Sequence, residues 1–216
     1  MNFMERITGM ATKPDETTKD IAREPRIEEG LMVVGVYMIF SILAAYFSFS
    51  RITYTGSIRG IEASTLALYM MLGGVIGAIL TVLIGWVIIT GVVHVLSMFF
   101  GAEGKFYPNM LTLIGFTAIP LIVVSIISIA LTLMMPVAVY DFSQGTQVAK
   151  ATYSNPIAIV STIVSLLGSI WTAYMMFYAV KNGEKIDAKG ALAVVGLLFI
   201  INLLFTFGSV ILALLA

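Results

Sequence analysis

Residues 85 to 120 read GWVIITGVVHVLSMFFGAEGKFYPNMLTLIGFTAIP, from Gly85 to Pro120. Two apolar runs flank a short glycine-bearing loop, Gly101 to Gly104, with Glu103 and Lys105 as its charged members. In lipid every backbone polar group must be satisfied within its own segment, so such runs span as helices. The stretch therefore predicts a helical hairpin that leaves a bilayer at the Gly101 loop and re-enters it. It holds the single histidine of the chain, His94, and ends at Pro120, inside the second run, which we read as a possible hinge.

The rest of the composition agrees. The 216 residues are 59% apolar and 11% charged, with a mean hydropathy of +1.01, whereas soluble domains are about a quarter charged. Twelve basic and twelve acidic side chains cancel, so no bulk charge recruits nucleic acid. The absence of cysteine excludes disulfides and thiol catalysis. With one histidine, no zinc or haem ligand set can be assembled, and neither a metal nor a cofactor is expected.

Working outward, Leu31 to Ser50 is a first uncharged run, long enough for a hydrocarbon core of about 30 Å. Leu66 to Phe100 is uncharged for a further 35 residues. As helix it measures about 52 Å, so it must tilt, kink or project beyond the bilayer. The remaining spans are read at about 110–135, 157–180 and 191–214. A polar turn with Arg51, Tyr54 and Arg59 follows the first span. A polar connection over 136–155, with Asp141, Gln144, Gln147, Lys150 and the Asn155–Pro156 step, follows the third. The fold class is thus all-α: a polytopic bundle of five transmembrane helices (31–216) behind a short N-terminal segment (1–30).

That segment has no long apolar core and does not read as a signal peptide, so the Leu31 run is expected to act as an uncleaved anchor. Phe3, Met4, Ile7, Met10 and Ala11 form one face of an amphipathic helix over residues 1–12, with Asn2, Glu5 and Arg6 opposite. This helix either lies in the membrane interface or packs on the protein's own surface; both readings stay open. Thr12, Pro14, Asp15 and Glu16 then signal a second helix start. Ile21 and Ala22 are its only clear apolar contacts, which predicts weak burial.

Five spans place the termini on opposite sides. The N-terminal segment, the Gly101 loop and the Lys181 loop carry nine basic residues; the other side carries three, Arg51, Arg59 and Lys150. The positive-inside rule expects a cytoplasmic N-terminus and an external C-terminus in the cell membrane.

Within the spans, Gly73, Gly77, Thr81 and Gly85 recur at four-residue spacing, as do Ser161, Ser165 and Ser169. Small-residue stripes let helices approach closely in lipid. They read first as packing within the bundle, with a homo-oligomer face or a polar solute path as sharper alternatives. Thr90 and Ser97 share the helical face of His94 and make a polar patch. His94 lies near the end of its span and reads as a structural histidine before a ligand or a proton carrier. Glu62, Glu103, Asp141, Glu184 and Asp187 fall in loops or at span ends, so no relay partner is evident. There is no G-x-S-x-G, H-E-x-x-H or phosphate-loop spacing, and no enzymatic activity is expected.

The order of these features, ERITGMATKPDETTKDIAREP, then GWVIITGVVHVLSMFFG, GAEGKF, LTLIGFTAIP and IWTAYMMFYAVKNGEKIDAKGALAVV, resembles the Yip-domain (Ypt-interacting protein) family, in its short prokaryotic and archaeal form. The resemblance implies five spans with a cytoplasmic N-terminus. Eukaryotic members are associated with Rab-type GTPases and vesicle traffic. The long cytosolic region and D-x-x-G-P motif of those members have no counterpart here. The expected function is a non-enzymatic membrane scaffold or adaptor, working through protein partners on its cytoplasmic face or by shaping the lipid bilayer. The alternative is a small-solute or ion transporter or channel built on the patch around His94.

Overall fold

The computed structural model describes residues 1–58, 60–141 and 156–215, without the side chains of Ile58, Asp141, Phe207 and 209–215. Arg59, Gln144, Gln147, Lys150 and Asn155 from the sequence reading lie outside the described residues. Among the described residues, five helices are long and apolar enough to cross a membrane, and the protein is an all-α, multi-pass membrane protein.

Two short helices come first, α1 (Phe3–Thr12) and α2 (Pro14–Arg23). An Asn2–Glu5 capping box starts α1: the Glu5 N–H donates to Asn2 Oδ1 at 2.9 Å, and the Asn2 N–H to Glu5 Oε2 at 2.8 Å. Pro14 opens α2, where its missing N–H costs nothing, and Asp15 and Glu16 complement the helix dipole. Thr12 does not cap α2. It is the last residue of α1, and its hydroxyl donates to the Thr8 carbonyl.

Two expectations for this segment fail. Arg6, assigned to the solvent side of α1, is fully buried, and α2 buries Thr17, Thr18 and Ile21 rather than resting loosely. The apolar face of α1 packs on the protein itself: Met10 joins the core, and the Phe3 ring meets Phe116 edge-on at 6.2 Å.

The spans follow. Helix α3 (Ile27–Ser50) begins before the uncharged run and takes in Glu28 and Glu29. Helix α4 (Ala63–Met98) is one helix of 36 residues, about 54 Å long. The third span is divided. An irregular turn, Phe106–Met110, precedes α5 (Leu111–Phe116); two residues of turn follow; α6 (Ile119–Met134) then carries Pro120 in its first turn. The fourth and fifth spans are α7 (Pro156–Gly183) and α8 (Ala188–Leu215).

The expected polar turn and polar connection contain strands. β1 (Ile52–Thr55) pairs in parallel with β4 (Ala138–Asp141), Ile52 opposite Ala138 and Tyr54 opposite Tyr140. β2 (Ser57–Ile58) pairs antiparallel with β3 (Ile61–Glu62). The Arg51 guanidinium donates to the Leu133 carbonyl, which holds this end of α3 against α6. These strands are short, and nothing in the local sequence distinguishes them from loop.

The core lies towards the N-terminal segment. All six residues of α5 are buried, and Met10, Ile21, Val33, Val93, Met110, Met175, Val180 and Val194 surround it. Two helices come into close backbone contact at Gly30 and Gly115: a Cβ on Gly115 would stand 2.9 Å from the Gly30 carbonyl oxygen. By contrast, a Cβ at Gly73, Gly77 or Gly85 meets nothing within 4 Å, so no close helix approach within the chain falls at these glycines. On the fourth span Gly168, against Val124, makes the tight contact; the Ser169 hydroxyl turns back to the Ser165 carbonyl at 3.0 Å.

Candidate functional site

The end of α4 is fixed by its backbone. Gly101 adopts φ +76°, the Ala102 N–H donates to the Ser97 carbonyl, and the Gly101 N–H donates to that of Met98. This is a Schellman ending, which needs a left-handed residue just past the helix, and glycine takes that conformation at no steric cost. The chain then turns into Glu103 and Gly104, which lie against the connection between α7 and α8. The Glu103 N–H donates to the Glu184 carbonyl at 3.0 Å. A side chain at Gly104 would collide with the Glu184 carboxylate and the Gly183 carbonyl, so only glycine lets the two loops touch. Across from them, Asp187 caps α8 by accepting the Gly190 N–H at 2.7 Å.

This docking places Glu184 over His94. The His94 Nδ1 and Glu184 Oε1 are 2.7 Å apart, and the imidazole leans on the Phe106 ring at 6.0 Å. Glu184 is fully buried. Burial pushes its carboxyl above the usual glutamate range, and the hydrogen bond and charge of His94 oppose that shift in part. The second oxygen, Glu184 Oε2, has no hydrogen-bond partner among the described residues; neither do Ser97 Oγ and Asn109 Oδ1, on two of the segments that meet here. The arrangement can share one proton between imidazole and carboxyl, and Glu184 Oε2 keeps unused acceptor capacity.

The sequence patch is only partly assembled. Thr90 is buried and donates to the Trp86 carbonyl of its own helix at 2.7 Å. Ser97 is buried with no hydrogen-bond partner among the described residues, and His94 turns to Glu184. Glu103 and Lys105 point to the exposed side of the loop. Glu184 stands in a charged loop, 90 residues from His94, so sequence reasoning does not pair the two; the glycines of GAEGK and VKNGEK are the one local hint that the two loops meet.

A second cluster binds the N-terminal segment to the spans. Arg6 donates from Nε to Asp20 Oδ2 at 2.9 Å, from Nη1 to Glu29 Oε2 at 2.8 Å and from Nη2 to the Glu24 carbonyl at 3.1 Å. On the other flank, the Asn182 amide donates to Asp15 Oδ1 at 3.1 Å and to Thr18 Oγ1 at 2.7 Å. The Lys19 hydrogen bond, followed by that of Asn182, holds the Asp15 carboxyl down at about 2. Outward, α1, α2 and Lys13 between them present Glu5, Lys13, Glu16, Lys19 and Arg23, all exposed. Among the described residues, no group of three or more His, Cys, Asp or Glu side chains is placed to hold a metal.

The Yip1 domain model matches residues 8–210. The chain is also 29% identical, over 138 residues, to an uncharacterised protein of the archaeon Methanocaldococcus jannaschii; the match covers 62% of this chain and 91% of the relative. No solved structure matches it.

Proposed function

The chain belongs to the Yip1 domain family of membrane proteins, and from that premise we propose that it is a non-enzymatic membrane adaptor whose protein-binding surface is the outer face of α1 and α2. The observation that carries this reading is the clamp on that face. Arg6 is fully buried between Asp20 and Glu29, and Asn182 reaches back from α7 to α2. A segment that only needed to float on the membrane would spend its apolar side on lipid; this one spends Phe3 and Met10 on the bundle. What remains outward is a rigid surface of mixed charge, suited to protein contact by electrostatic complementarity. With the excess of basic residues on the same side, this face is cytoplasmic and the C-terminus external.

The transport reading has less support. His94 is engaged by Glu184 beneath the Gly101 loop, and it is not among the residues that line the cavity walled by Tyr37, Trp86 and Thr172.

The test is a photo-crosslinking amino acid at Glu16, used in native membranes. Discrete protein adducts are expected. They should disappear in a Lys13→Glu, Lys19→Glu, Arg23→Glu variant that retains the wild-type melting profile. Adducts to lipid only, or an adduct pattern unchanged by charge reversal, would defeat the reading.

A further inference from the structure

A cavity of about 300 Å³ lies between the helices, apart from both clusters above. All five spans wall it: Tyr37 from α3, Gly85 and Trp86 from α4, Thr117 from the break before α6, Thr172 from α7 and Asn202 from α8. Counted along the helices, these residues stand roughly 10–25 Å from the end that carries α1. The cavity is therefore at hydrocarbon depth.

Its chemistry is mainly apolar, and among the described residues no Asp, Glu, Lys, Arg or His lines it. The polar groups of the wall are neutral, and several are already engaged. Trp86 Nε1 donates to the Leu111 carbonyl at 3.0 Å, and Ser169 Oγ to the Ser165 carbonyl. Two are different. Thr172 Oγ1 is buried with no hydrogen-bond partner among the described residues. Asn202 is an exposed amide inside a span of mean hydropathy 2.2. Polar groups within a membrane are costly to leave unpaired and mark binding sites. A cluster of waters fits poorly, because each needs two to four polar partners and this wall is mostly hydrocarbon. A charged headgroup would find no counter-ion. The volume falls at the small end of ligand sites, about 300 to 1,000 Å³.

We propose that this cavity binds a neutral single-chain amphiphile, with a hydroxyl or ester oxygen on Thr172 and Asn202 and its chain along the apolar wall. The site stands independently of the adaptor reading.

Gly85 supplies the test. A Cβ there enters open space, as it does at Gly73 on the same helix, but only Gly85 lines the cavity. Wild-type protein in nanodiscs is illuminated with a decanol bearing a chain diazirine, and in parallel with the matching diazirine decane. Saturable labelling by the alcohol is expected at cavity residues, competed by excess unlabelled decanol. Gly85→Leu should cut it at least tenfold and Gly73→Leu should not. Thr172→Val with Asn202→Leu should erase the preference for alcohol over alkane. Non-saturable labelling, equal labelling of the two glycine variants, or an alkane that labels as well as the alcohol in wild type would overturn the proposal. Should Gly85→Leu not yield folded protein, saturation and the alcohol-to-alkane ratio in wild type decide it alone.

Discussion

Arg6→Met removes the one cation that lies fully buried between the N-terminal segment and the first span. Methionine keeps most of the aliphatic packing, so the change isolates the charge. The loss strands Glu29, whose side chain is only 8% exposed, and removes donors from Asp20 Oδ2 and the Glu24 carbonyl. Removing one partner of a buried pair typically costs about 3–5 kcal/mol. Glu29 retains Arg26, whose Nη1 donates to it at 3.1 Å, so the expected cost is lower, about 2–4 kcal/mol. The cost falls on docking of α1 and α2, not on the spans. At about 1.4 kcal/mol per tenfold, amide hydrogen exchange over residues 3–23 should quicken by roughly 30- to 700-fold through local opening. Protection in α5 and α7 should change little. Arg6→Met with Glu29→Gln should recover part of the loss, because no buried charge is then left alone. Unchanged protection over α1 and α2 in Arg6→Met would refute the clamp, and with it the reason to treat this face as rigid.

Three further outcomes follow from the candidate site. Glu184→Gln tests the buried carboxyl. Its folded pKa lies above the ordinary 4.5, so its contribution is fully present below that pH and is lost as pH rises through the raised value. The melting temperature of the variant relative to wild type should therefore climb as pH is raised above 4.5, and a pH-independent difference would count against the assignment. Gly104→Ala forces a methyl group onto Glu184 and the Gly183 carbonyl and should destabilise by about 1–3 kcal/mol, read by thermal melting; an unaffected melting temperature would mean that the loops are not in contact. Lys185 holds φ +57° and is exposed, so Lys185→Gly should stabilise by about 0.5–1 kcal/mol, and a loss would show that the lysine side chain matters there.

Much of the architecture was legible because lipid imposes few solutions. An uncharged run of twenty residues must be helical to satisfy its own backbone, and charged loops must lie outside. Hence the five spans, the hairpin from Gly85 to Pro120 and the start of α2 at Pro14 could all be read from residue order. The amphipathic helix was also legible, but its polar side was misjudged. A moment counts Arg6 as polar and places it in water; only the carboxylates of Asp20 and Glu29, on other helices, make burial favourable. The glycine stripe misled for a related reason. Spacing marks where helices can approach, yet the close crossing falls at Gly30 and Gly115, one glycine on each of two helices, where no periodicity announces it.

The sequence by itself thus determined the solvent, the number of crossings and the helical hairpin, since these depend on local composition and on backbone hydrogen bonding in lipid. The tertiary structure decided what His94 meets, that Arg6 is a clamp and that the break in the third span helps to wall a cavity. Each of those depends on which distant side chains meet, and pairing across 90 residues leaves no local signal.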